Sequence, residues 1–275
     1  MTDIFELSLQ ALRCCSAVEK INKLKSLEQK LLDAQFSTES ELSIEKVTQP
    51  GRPALPVHVH PAEVKRRRLG SVEGRIALVH AIAHIEFNAM NLALDAVYRF
   101  RGMPHAYYRD WMRVAREESI HFQLLSTRLE ELSSYYGALP AHGGMWAMAV
   151  ETDYDVMVRM ALVPRVLEAR GLDVTPPMLD KLSAVNDAAT VAIFERILTD
   201  EVEHVKIGNH WFGALCEQRG LCAEETFKVL LHKHGKAALR GPFNKPARRR
   251  AGFSEAELVE LDKIEQLFRE EAALS

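Results

Sequence analysis

The chain has 275 residues, 47% of them hydrophobic and 27% charged, with a formal net charge of −3. That length and apolar content predict one elaborated domain, 1–275, with a real core, and the small net charge points to neither a nucleic-acid nor a membrane partner. Cys14, Cys15, Cys216 and Cys222 make no Cys-x-x-Cys pair and no zinc or iron–sulfur spacing; with no signal peptide at Met1-Thr2-Asp3 and no apolar run of the ~18–20 residues a membrane span needs, a reducing cytoplasm is the expected setting.

Apolar residues recur with a period near 3.6 and no β-branched run alternates, so the sequence predicts an all-α protein. Residues 4–34 read as one or two helices outside a main bundle, with Leu7, Leu12, Val18, Ile21, Leu24, Leu27, Leu31 and Leu32 apolar and the other faces charged. Residues 37–70 change character. Pro50, Gly51, Pro53, Pro56 and Pro61 exclude a continuous helix and predict an extended segment lying along the bundle. His58 and His60 alternate there with Val57 and Val59, a strand-like or polyproline pattern, and are expected as surface histidines rather than a metal pair. Lys65, Arg66, Arg67 and Arg68 form a basic cluster, a solvated turn with anion or phosphate binding as the alternative.

The bundle core is expected over 70–220. Its first helix runs from about Ser71 to Arg101, ended by Gly102 and Pro104. The stripe Val79, Ile82, Ala83, Met90, Ala93 and Val97 contains one carboxylate, Glu86. The opposite face carries the polar row His84, Asn88, Asn91 and Asp95, expected to hydrogen-bond the N-terminal extension, and His80 and His84 are read as structural. The second helix runs from His105 to Tyr136, and its stripe, including Trp111, Val114, Ala115, Phe122 and Leu125, passes through Glu118 and His121. Gly137 to Gly144 breaks it. Extended chain covers at most ~3.3–3.6 Å per residue, so this break is short for a crossover, and part of Met145 to Asp153 is expected to help, as a short helix begun by Trp146.

The third helix is expected from Tyr154 to Arg170, with Pro164 kinking it, Glu168 at its end and Gly171 as its cap. Thr175-Pro176-Pro177 then starts the last long run, ending near Gly220. Its stripe, including Val191, Phe194, Ile197, Val205, Gly208 and Phe212, passes through Glu201 and His204. Residues 221–275 are expected as a C-terminal helical extension: a helix from Ala223, a loop holding the basic segment 240–250, and a helix from about Ser254.

Two of these helices carry Glu-x-x-His, Glu118 with His121 and Glu201 with His204. Residues three apart share a helix face. Each pair follows a lone Glu on the preceding helix, 32 residues on from Glu86 (86 to 118) and 33 on from Glu168 (168 to 201). Charged groups on a dry face are costly unless paired or metal-bound. One Glu from each of two helices and Glu-x-x-His from each of two others is the ligand set of a di-iron or di-manganese carboxylate site in a four-helix bundle. Glu117 and Asp200 immediately precede the pairs. Because a His ligand usually gives its other ring N–H to a carboxylate, Asp200 is expected beside His121 and Glu117 beside His204.

On these residues the region 70–220 resembles the ferritin-like superfamily. The phrases His80-Ala81-Ile82-Ala83-His84-Ile85-Glu86, Leu92-Ala93-Leu94-Asp95-Ala96, Leu167-Glu168-Ala169-Arg170-Gly171-Leu172-Asp173 and Asp200-Glu201-Val202-Glu203-His204-Val205 are more narrowly similar to a bacterial family catalogued as domain of unknown function 455. The resemblance implies a ferritin-like fold and a metal site, with Glu86, Glu118, His121, Glu168, Glu201 and His204 as ligands, and it implies no substrate.

Four carboxylates and two imidazoles offset two divalent ions, and oxygen and nitrogen ligands without thiolate suit two Fe ions, with Mn/Fe or Mn/Mn as alternatives. The first functional expectation is an oxidase or hydroxylase using O2 on a small organic substrate, with an electron donor protein as partner. The terminal extensions are the parts expected to build its pocket and lid, and the basic segments leave a phosphate-bearing or tRNA substrate open by fold analogy. The second is iron oxidation, iron storage or peroxide removal. The third is a non-enzymatic, metal-stabilised interaction protein. A monomer or dimer is expected, with no membrane partner.

Overall fold

The computed structural model describes residues 2–33, 36–64, 67–235, 239 and 241–273. They are mostly helical. The strand content is a two-residue parallel pair, β1 (Thr2–Asp3) with β2 (Phe36–Ser37), and a bridge between His58 and Ala141. Lys65 and Arg66 of the first basic cluster, and Arg240 of the second basic segment, lie outside the described residues. The chain forms two compact units, Met1–Asp153 with Lys181–Ile193, and Tyr154–Asp180 with Phe194–Ser275.

In the first unit, α1 (Ile4–Arg13) starts where the Asp3 carboxylate accepts the N–H groups of Phe5 and Glu6, and α2 (Ala17–Leu32) where Ser16 caps Glu19. Such side-chain caps satisfy backbone donors that the first helical turn leaves open. Ser71 does the same for α3 (Val72–Arg99) by accepting from Gly74 N–H. The short Phe100–Pro104 turn folds α4 (His105–Glu131) back along α3. α1 lies on α3 and α2 on α4, while α5 (Gly144–Glu151) packs on α3. Among the described residues α3 alone is long and apolar enough to cross a membrane, and it is mostly buried within the protein.

The proline-rich segment is extended and tied down at intervals. Gly51 N–H donates to Leu12 O, and a Cβ at Gly51 would lie 2.2 Å from Arg13 O, so no side chain fits. Tyr98 Oη accepts from Glu45 N–H, and Trp146 Nε1 donates to Val47 O. Val59 and Ala141 exchange strand-like bonds with their neighbours across the bridge. Of the polar row of α3, Asn91 meets the N-terminal helices: Lys20 Nζ donates to Asn91 Oδ1 and to Leu12 O, while His84 bonds Tyr136 and His142 and Asn88 its own helix.

α4 ends at Glu131, five residues before the expected Tyr136. Ser133 turns the chain with φ 59°, and Tyr136 packs instead against Phe122 and the histidines of α3. The short helix expected from Trp146 begins two residues earlier, at Gly144.

Further along the chain, α6 (Val156–Leu162) runs into a π turn, Val163–Glu168, and on into α7 (Ala169–Ala184). The Pro164 signal is real, but it produces a wide turn: Ala169 N–H reaches back five residues to Pro164 O. π turns of this kind are single-turn bulges inside helices.

Two expectations are corrected here. Gly171 does not cap the helix, and Thr175-Pro176-Pro177 does not start the next one; α7 passes through both. The backbone acceptor left by Pro176 finds another donor, since Leu172 O accepts from Asn244 Nδ2 at 2.9 Å. The break falls at residues 185–187, where Asn186 adopts φ 58° and Asp187 N–H bonds Leu182 O. α8 (Ala188–Gln218) follows.

α9 (Ala223–Leu230) and α11 (Glu255–Ala273) are the expected C-terminal helices. The segment between them is not simply a basic loop. It contains α10 (Lys245–Arg250), begun by Asn244, whose side chain accepts from Ala247 N–H. Arg248 is buried and bonds the Asp173 carboxylate through Nε and Nη2, at 3.0 and 2.6 Å.

Candidate metal centre

Glu86 stands mid-helix on α3, on the same side as Val79, Ala83, Met90 and Ala93, all buried. Glu118 and His121 stand mid-helix on α4 among Trp111, Val114, Ala115, Phe122 and Leu125, also buried. Packing α3 along α4 brings the three together. His121 Nδ1 lies 3.1 Å from Glu86 Oε2 and 3.5 Å from Glu118 Oε2. Each offers a ligand atom within 4.8 Å of those of the other two. Their exposures are 3% for Glu86 and 0% for Glu118 and His121, so water does not screen them.

Burial is the largest influence on Glu86 and raises its pKa well above the ordinary carboxylate range. The neighbouring Glu118 raises it further, and His121 opposes both. A cation between the two carboxylates would reverse that balance and hold both ionised, because a bound metal is the largest local charge in its site. Carboxylate oxygen with imidazole nitrogen, and no thiolate, fits iron or manganese. On the structure's own chemistry, the three residues fit a metal.

The other three expected ligands belong to the second unit. Glu168 ends the π turn, so the Pro164 bulge sets where its side chain leaves the backbone. Glu201 and His204 stand on α8, with His204 Nδ1 3.8 Å from Glu201 Oε1. All three are buried, at 6%, 8% and 0% exposure. Gly171 lies against this pair: a Cβ there would sit 4.0 Å from Glu201 Cγ. The glycine that resembled a helix cap is where α7 passes beside Glu201.

Glu117 and Asp200, expected beside the histidines, accept from arginines one turn away on their own helices. Arg113 Nε donates to Glu117 at 3.0 Å and Arg196 Nε to Asp200 at 2.5 Å.

Buried cations went unread in the sequence. Lys20 falls on the Leu24–Leu27–Leu31 face of α2 and is fully buried, and desolvation lowers its pKa to about 7. Arg165 is buried among Phe212, Phe227 and Phe253 and pairs with Glu257. Their positions on apolar stripes were the available signal.

The family model described as "Protein of unknown function (DUF455)" matches residues 13–259. An uncharacterised protein of Haemophilus influenzae is 48% identical over 224 residues, 79% of this chain and 78% of that protein. No solved structure matches the chain.

Proposed function

The chain belongs to the DUF455 family, and we propose that it is a dinuclear metal carboxylate protein of ferritin-like architecture that uses iron and O2 to oxidise an organic substrate. The observation that carries this reading is the buried cluster of Glu86, Glu118 and His121. Two acids and an imidazole in an apolar interior are costly to maintain as a purely structural feature. In the proposal Glu168, Glu201 and His204 supply the matching half of the ligand set, as the repeated spacing implies.

Two iron ions held by these six residues would supply the electrons that O2 requires to oxidise a substrate. The chain's own residues do the rest. Glu86 and Glu118 provide anionic oxygen, and His121 turns Nδ1 toward them. Glu117 and Asp200 stand one position before the two Glu-x-x-His pairs, each held by an arginine one turn away on its own helix. Phe87, Trp111, Phe122 and Leu125 exclude bulk water. The electrons for turnover come from a donor protein.

A tRNA or phosphate-bearing substrate loses support, because much of the second basic segment is already matched by acids. Arg248 is buried on Asp173, Arg249 pairs with Glu255, and Lys245 pairs with Asp262.

The test is metal analysis of chain purified from iron-supplemented cells. About two irons per chain are expected, as this ligand set holds a metal pair, and a Glu118→Ala, Glu201→Ala double variant should retain almost none. Equal iron in both proteins would sink the proposal. O2 uptake by the reduced, loaded chain then tests the oxidase reading. A monomer or dimer by light scattering separates an enzyme from a storage cage.

A further inference from the structure

A cavity of about 370 Å³ lies within the first unit, between α3, α5 and the proline-rich segment. It opens on the opposite face of α3 from Glu86. Asn88 is two positions from Glu86, about 200° around the helix axis, so the Glu86–Glu118–His121 cluster and the cavity share α3 as a wall. Phe87, Asn88, Pro50, His58, Trp146 and Ala147 are among the residues that line it.

Two polar groups in it have unmet capacity. Asn88 is buried, and its one hydrogen bond among the described residues runs from Nδ2 to His84 O at 2.7 Å. Its carboxamide oxygen therefore remains an acceptor. The neighbouring Asn91 differs, since its oxygen takes the bond from Lys20. His58 Nε2 is buried with no hydrogen-bond partner among the described residues, and the His58 ring stands edge-on to His84 at 5.2 Å. Buried polar groups are rarely left unmet, so each such atom asks for a partner.

The remaining lining decides the partner's character. Trp146 uses its ring N–H on Val47 O, which leaves it to pack by its rings. Arg52 and Glu151 are the charged residues of the lining and are opposite in sign, and Arg52 donates to Pro53 O and Pro56 O. The cavity is thus close to neutral, aromatic and apolar, with hydrogen-bonding capacity concentrated near one edge. Its volume is at the small end of the ~300–1,000 Å³ typical of small-molecule pockets.

We propose that this cavity is a second binding site, for an uncharged, planar nitrogen heterocycle of two or three fused rings. A ring N–H meets Asn88 Oδ1, and the ring system lies against His58, Trp146 and Ala147.

Tryptophan fluorescence of the full chain, titrated with lumichrome and adenine, tests this, with naphthalene as the hydrocarbon control. Saturable quenching by at least one heterocycle is expected, and its amplitude should fall in Trp146→Phe. Asn88→Ala should weaken that binding about tenfold, the scale of one lost hydrogen bond. The Asn88 side chain bonds only its own helix, so helical content by circular dichroism should be unchanged. Should Asn88→Ala fail to fold, His58→Ala carries the same expectation. No saturable quenching by either heterocycle, naphthalene binding as tightly as they do, or full affinity in the folded variants would overturn the proposal. Iron content plays no part in these readouts, so this result stands or falls separately from the metal centre.

Discussion

His80 and His84 are held neutral by burial, and their hydrogen bonds record it. His84 Nε2 donates to His142 O, which can only accept, so Nδ1 accepts from Tyr136 Oη at 2.9 Å. His80 Nε2 accepts from Gly137 N–H. Desolvation lowers both pKa values to about 4 from an ordinary 6.5. The unfolded chain therefore binds protons between pH 6.5 and 4 that the folded chain refuses. Stability from these rings is full above pH 6.5 and is lost as pH falls toward 4, by about 1.4 kcal/mol per pH unit for each ring. Urea denaturation across that window should give a shallower acid slope for His84→Gln than for the parent chain. An identical slope would mean the ring is not neutral in the fold. Their structural role was legible, because both point away from the Glu86 face. Lys20 stands on the Leu24–Leu27–Leu31 stripe, a sign of burial that the other charged residues of its helix mask.

Within the elements, local signals are real, but several carry a consequence other than the expected one. Pro164 disturbs its helix as proline must, yet the result is a π turn fitted against Gly208. A Cβ at Gly208 would lie 2.3 Å from Pro164 Cβ. Neither the proline ring nor a β-carbon can swing aside, so Gly208→Ala should cost about 1–3 kcal/mol through overpacking, measured as a lower midpoint in urea. Gly171 and Pro176 misled for a different reason. What excuses them inside α7 comes from residues distant in sequence, Glu201 for the glycine and Asn244 for the proline. The actual break at Asn186 has neither glycine nor proline to mark it.

The C-terminal elements are fastened by buried charge. Arg165 from the π turn meets Glu257 of α11, and its guanidinium lies 3.8 Å from the centre of the Phe227 ring. Removing one partner of a buried pair strands the other, at about 3–5 kcal/mol. Arg165→Met should therefore destabilise strongly, and Arg165→Met with Glu257→Met should recover most of the loss. Chemical denaturation of the single and double variants decides it. A double variant no more stable than the single would show that the arginine acts through its packing on the aromatic rings. The pair escaped the sequence reading because 92 positions separate its members.

Across the whole molecule, spacing along the chain carried the ligand pairs, since three residues on one helix face is a local property. The meeting of Glu86 with Glu118 and His121 depends on how two helices pack, and the matched intervals of the two hairpins were its only trace in sequence. The proposed centre is anchored by Glu86, Glu118 and His121, which lie within one compact unit. Metal binding to the folded chain alone stabilises it by mass action, by about 2.7 kcal/mol at a hundredfold excess over Kd. For a chain of this length, that is on the order of 5–10 °C in Tm. Calorimetry of the iron-loaded chain should thus show one transition raised by that amount over the chelator-treated chain. In Glu86→Ala the loaded and stripped scans should coincide. If iron raises Tm equally in Glu86→Ala and the parent chain, the stabilising ion is bound elsewhere, and the six residues do not act as one centre.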